Sequence, residues 1–154
     1  MPIATRSAGV TWDGSLARGS GVLSSGSHAL QDLPVTWAAR TEAPEGKTSP
    51  EELIAAAHAT CFTMALALVL GEAGTTPERL TTSAECVLAE VEGAPRITEL
   101  ALRVGAQAES LDEVTFNDAI AKATALCPVS NALRGNVEIS IDAALESYTA
   151  DVYR

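Results

Sequence analysis

Short apolar segments broken by turn residues open the chain. "GVTWDG", "SGVLSS" and "LPVTWAAR" each carry a few apolar positions between glycine, serine, aspartate and proline punctuation. They predict three strands, the first two a hairpin through "DGSLARGS". "TEAPEGKTSP" is a loop by composition. The period then changes. Ser49-Pro50-Glu51-Glu52 has the form S-x-x-E with proline at the first helical position, which is a capping box. The early carboxylates suit the positive end of the helix dipole. An apolar run carries this helix to about Leu70, where "GEAGTTP" stops it.

Beyond it, "RLTTSAECVLAEVEG" and "PRITELALRVGAQAE" alternate around Cys86, Leu88 and Val91 and through Ile97, Leu100 and Leu102, and "EGAP" joins them as a hairpin. Residues 112–126 predict a helix with Val114, Ile120, Ala121 and Leu126 among its apolar positions. "CPVSNALRG" predicts one or two further helical turns ended by Gly135, and "NVEISIDAAL" a last strand of period two. The expected order is βββαββααβ, in an α+β fold with a long central helix on curved antiparallel sheets. With no internal repeat and no long linker, residues 1–154 are expected to form one domain.

Composition changes this picture in three ways. The chain is 47% hydrophobic but 4% aromatic, so small side chains supply most of the packing and a second copy would add buried area. The net charge is -10 and no Lys/Arg cluster occurs, which argues against nucleic acid and anionic membrane surfaces as partners. Leu53 to Leu70 is uncharged for 18 residues, long enough for a membrane span. Its His58, Thr60 and Thr63, its alanines, and flanking Glu51, Glu52 and Glu72 with no basic residue before Arg79 point instead to a core helix surrounded on nearly all sides. The first residues, "MPIATRSAGVTW", hold no run that reads as a signal peptide, so the expected location is cytoplasmic.

Three cysteines without a C-x-x-C spacing form neither a disulfide framework nor a zinc ribbon. Cys86, inside an alternating strand, is read as packing. Cys61 lies within the apolar helix, where nothing local lowers its pKa. Cys127 precedes Pro128 and is expected at a helix N-cap, where backbone N–H groups favour a thiolate. By local sequence Cys127 is therefore the better nucleophile.

"TSPEELIAAAHATCFTMAL" and "KATALCPVSNAL" together resemble the two cysteine motifs of the OsmC/Ohr family, the osmotically inducible and organic hydroperoxide resistance proteins. The likeness runs from "WDG" and "RGSG" through "GEAG" to the last strand and is nearer the OsmC branch. The tail "SYTADVYR" lies outside it. The resemblance implies an intertwined homodimer and a thiol peroxidase. Cys61 would be peroxidatic, Cys127 resolving, Arg18 the stabiliser of thiolate and transition state, and Glu51 the residue that orients Arg18. Arg40 also stands where OsmC-type sequences tend to carry arginine. The family implies no bound cofactor. It implies an external dithiol reductant, lipoylated in some members, and an organic hydroperoxide as substrate.

The chemistry fits those residue types. A thiolate attacks the O–O bond, and a buried thiol needs a cation to ionise. An arginine supplies one and stabilises charge on the departing oxygen. The resulting sulfenic acid condenses with a second thiol to give a disulfide. Apolar neighbours such as Phe62, Met64 and Leu66 either fill the core or favour alkyl and aryl peroxides over hydrogen peroxide. Ten residues of helix span roughly 15 Å, so Glu51 cannot touch Cys61 of its own helix. An arginine must bridge them, or a partner chain must supply the glutamate. Two rival readings remain: a metal site built from His58, Cys61 and Cys127, with His28 the only other histidine, and a non-enzymatic dimeric binder of small ligands.

Overall fold

The computed structural model describes residues 1–146; the tail "SYTADVYR" lies outside the described residues. The elements are β1 (Ala8–Asp13), β2 (Ser20–Ser25), β3 (Leu33–Val35), α1 (Trp37–Thr41), α2 (Pro50–Glu72), β4 (Arg79–Val91), β5 (Ala94–Gln107), α3 (Glu113–Leu126), α4 (Pro128–Leu133) and β6 (Glu138–Leu145). The fold class is α+β, as expected. The chain divides into two compact units, Met1–Leu53 and Ile54–Arg154, with the boundary inside α2.

In the first unit β1, β2 and β3 form an antiparallel sheet in that order. The β1–β2 connection is tight. A Cβ on Gly19 would run into the carbonyl oxygens of Asp13 and Ser15 and the Trp12 indole, so only glycine fits there. The expected third strand is shorter than predicted. Only Leu33–Val35 pairs with β2, and Thr36 then caps α1 by accepting a hydrogen bond from the Ala39 N–H at 3.1 Å. "TWAAR" is thus a helical turn rather than the end of a strand.

In the second unit β4, β5 and β6 form one sheet in sequence order. β4 and β5 are antiparallel, joined through Glu92 and Gly93, both at positive φ (51° and 77°), as a type I′ turn requires. β6 runs parallel to β5. That corrects the expectation of wholly antiparallel sheets. The reason is the connection: α3 and α4 carry the chain back across the sheet, and a helical crossover returns the next strand in the same direction.

The capping box holds. Glu52 N–H donates to Ser49 Oγ at 3.1 Å and Leu53 N–H to the Ser49 carbonyl. α2 has the length and apolarity of a membrane span, yet Phe62, Leu66 and Leu70 are fully buried against β5 and α3, the packing of a core helix. It is not surrounded on nearly all sides, however. Ala56, Ala57, Thr60, Met64, Ala67, Leu68 and Gly71 are exposed and fall at helical spacing, so α2 leaves a narrow, small-residue apolar stripe uncovered in the single chain. In α3 the buried face is Phe116, Ala119 and Ala123. Ile120 packs against that core, but Val114 and Leu126 point outward, one turn position away from where the pattern put them. Cys86 is half-buried on the β4 face shared with Leu80 and Ala84.

Candidate active site

The second unit brings Cys61 and Cys127 together. Cys61 lies two turns into the apolar part of α2, half-buried, and Cys127 is fully buried at the joint between α3 and α4. Asp112 starts α3 by accepting from Thr115 N–H at 2.7 Å, and Pro128 at the first position of α4 fixes Cys127 as its N-cap. The cap is made by sulfur: Ser130 N–H donates to Cys127 Sγ at 3.5 Å. The Val129 N–H favours the charged form of both sulfurs, and the two thiols are close enough to shift each other's ionisation.

These contacts polarise the pair. Burial raises the Cys61 thiol above its ordinary range, and its position as donor to Cys127 raises it further, against the Val129 N–H. Burial would raise Cys127 as well. The Ser130 hydroxyl and N–H, with the Cys61 thiol, more than offset it and leave Cys127 below its ordinary range. Of the pair, Cys127 is therefore the thiol that gives up its proton more readily and Cys61 the one that holds it more tightly.

Ser130 was not singled out by sequence, although a serine three residues into a Cys-Pro helix start is a position that can reach back to its cap. Its hydroxyl lies 2.7 Å from His58 Nε2, and both side chains are buried. Burial holds His58 below its ordinary pKa, so the ring is neutral. With Nε2 on Ser130, His58 faces a hydroxyl rather than a metal. Among the described residues no group of three or more His, Cys, Asp or Glu side chains is placed to hold a metal ion.

In the first unit Glu51, 7% exposed, is engaged by Arg40. Arg40 Nη2 donates to Glu51 Oε1 at 2.8 Å, and Nε donates to Oε1 and Oε2 at 3.1 and 3.2 Å. The guanidinium also lies over the Trp37 ring, 5.8 Å from its centroid. The expected pairing of Glu51 with Arg18 is not the one found. Arg18 is exposed in the β1–β2 connection, and its guanidinium makes no hydrogen bond or ion pair among the described residues. Arg40 is closer to Glu51 for a local reason: α1 ends a short loop before α2 begins. Beside this pair an apolar cavity of about 290 Å³ is lined by Val10, Trp12, Leu16, Leu23, Val35 and Trp37, among others.

Comparison with known proteins agrees with the motif likeness. The family described as OsmC-like protein matches residues 43–142. The peroxiredoxin OsmC of Escherichia coli K12 is 44% identical over 136 residues, which is 88% of this chain and 93% of that protein. The organic hydroperoxide resistance protein OhrA of Bacillus subtilis is 28% identical over 113 residues, covering 73% of this chain and 79% of its own. The crystal structure of OhrB from the same organism superposes with a TM-score of 0.72 at 28% identity, covering 90% of this chain and 98% of that one.

Proposed function

The chain belongs to the OsmC-like family, and from that premise we propose that it is a two-cysteine, dithiol-dependent peroxidase that reduces organic hydroperoxides to alcohols. One observation carries this reading: two thiols from distant parts of the sequence lie close enough to influence each other, one half-buried and one sealed from solvent. Cys61 is the more accessible and attacks the peroxide; its sulfur takes one oxygen and the alcohol leaves. Cys127 condenses with the sulfenic acid within the same chain, and an external dithiol, such as a lipoylated protein, restores both thiols. No bound cofactor takes part. The names of relatives as organic hydroperoxide resistance proteins support the substrate class.

Cys61 must carry the charge to attack, and burial raises its thiol above the ordinary range. A cation has to reverse that. We assign this role to Arg18, whose guanidinium makes no hydrogen bond or ion pair among the described residues, and we assign Arg40 to holding Glu51. The active species is proposed to be a homodimer that uses the exposed α2 stripe, working in the cytoplasm, where reductants keep its thiols free. Small residues along that stripe let two helices approach closely across a two-fold axis.

The test is dithiol-dependent turnover of cumene hydroperoxide and hydrogen peroxide by wild type, Cys61→Ser and Cys127→Ser. The proposal expects a preference for the organic peroxide, an inert Cys61→Ser, and a Cys127→Ser that reacts once and recycles poorly. Equal inertness of all three overturns it. A second reading, a non-enzymatic binder of small ligands, is favoured by the apolar cavity of the first unit. It predicts that Cys61→Ser binds an apolar fluorescent probe as wild type does while neither consumes peroxide.

A further inference from the structure

His58 is the least expected side chain in the core. It is fully buried on α2, its Nε2 lies 2.7 Å from Ser130 Oγ, and its Nδ1 has no hydrogen-bond partner among the described residues. An unpaired buried nitrogen is destabilising. An apolar residue would fill the same space without that cost, so packing alone does not account for it. Ser130 is 1% exposed; its N–H donates to Cys127 Sγ at 3.5 Å, and its hydroxyl is among the groups that lower the Cys127 thiol. When the hydroxyl turns to donate to the sulfur, its oxygen accepts from His58 Nε2–H and Nδ1 is the bare nitrogen; this is the tautomer the proposal assigns. One buried line then runs from the His58 ring through the Ser130 hydroxyl to the Cys127 sulfur.

We propose that His58 and Ser130 are positioning residues for Cys127: His58 holds the Ser130 hydroxyl on that sulfur, making Cys127 the member of the pair that attacks the sulfenic acid and that departs when the disulfide is reduced. The inference rests on the peroxidase reading above and deepens it. In the first step the Cys127 thiolate forms the S–S bond to Cys61, the S–O bond breaks, and hydroxide leaves to take up a proton. In the second step a dithiol thiolate attacks the Cys61 sulfur, and the S–S electron pair leaves with Cys127. The second thiol of the reductant then displaces Cys61 from the mixed disulfide, leaving the reductant oxidised and both protein thiols reduced. A leaving thiolate departs faster when it is already stabilised, and the Ser130 donors do that without a charged group. His58 touches neither sulfur, and so acts only through Ser130.

The test uses a full-length chain with Cys127 as its sole thiol, made by Cys61→Ser and Cys86→Ala. Thiolate absorbance is followed against pH with Ser130→Ala, His58→Phe or His58→Gln added, and folding is checked by circular dichroism. Ser130→Ala and His58→Phe are expected to raise the Cys127 midpoint by about one unit, the size of a lost hydrogen bond to the charged form. His58→Gln, which can still donate to Ser130, is expected to stay near the parent. In the three-cysteine chain the same two variants should close the disulfide about threefold more slowly at neutral pH, since a tenfold loss of thiolate is partly offset by higher nucleophilicity. An unmoved midpoint in Ser130→Ala and His58→Phe overturns the inference, as does a His58→Gln no better than His58→Phe. Peroxide oxidation of wild-type Cys61 is read separately. If it fails while the midpoints still move, the peroxidase reading falls and the control of Cys127 by His58 and Ser130 stands.

Discussion

At the scale of the residue, surroundings decide the chemistry. His58 is held neutral by burial, so its folded pKa lies below the unfolded value near 6.5. Above that value both states are neutral and the full stability is present. As pH falls below it, the unfolded chain takes up a proton that the folded chain refuses, and stability is lost toward the folded pKa. The slope from this group is at most about 1.4 kcal/mol per pH unit. Denaturant unfolding measured between about pH 7 and 5 should therefore flatten in His58→Gln relative to wild type; identical slopes would refute the assignment. The two arginines should separate in the same way by different readouts. Arg40→Ala leaves Glu51 buried without its fork of donors and is expected to cost about 2–4 kcal/mol of stability. Arg18→Ala should leave stability within about 0.5 kcal/mol and lower kcat/KM for cumene hydroperoxide about a hundredfold, if Arg18 is the cation that charges Cys61. A stable, fully active Arg18→Ala moves that role elsewhere. The caps were readable in sequence at this scale because a cap is a local bond: Ser49 to Glu52, and the N-cap position of Cys127 before Pro128, though not its partner Ser130. The Arg40–Glu51 pair was not, because the sequence offers two arginines and only the turn of α1 decides between them.

At the scale of the element, length and period were legible and facing was less so. α2 and α3 begin within a residue or two of where their capping signals put them. The α3 face was misjudged because Val114 and Leu126 are large and apolar, while the helix buries the smaller Ala119 and Ala123 beside Phe116. Close approach to α2 and the sheet needs small side chains, so size rather than hydropathy sets that face. The same logic places the proposed dimer contact on α2. Met64 and Leu68 are 69% and 56% exposed, on a stripe otherwise made of alanine, threonine and glycine. Leu68→Glu, on the exposed side, should leave the core intact and shift the species seen by light scattering from dimer to monomer. A Leu68→Glu chain with the wild-type mass in solution would mean that α2 is not the contact.

At the scale of the whole molecule, the topology explains why the two cysteines meet. The sequence separates Cys61 from Cys127 by the β4–β5 hairpin and α3, and the parallel return of β6 requires α3 and α4 to cross the sheet beside α2. That crossover was the element of topology the strand pattern alone missed. A helical connection between neighbouring strands implies it, whereas alternation within a strand says nothing about direction. The break between α3 and α4 at Pro128 then sets Cys127 against Cys61. The most direct measurement is peptide mapping after one equivalent of cumene hydroperoxide, with dimedone present to trap sulfenic acid. The account predicts a Cys61–Cys127 disulfide in wild type, a dimedone adduct on Cys61 in Cys127→Ser, and no oxidation in Cys61→Ser. An adduct on Cys127 in Cys61→Ser, formed as fast as the wild-type disulfide, would contradict it and make the sealed thiol the one that meets the peroxide.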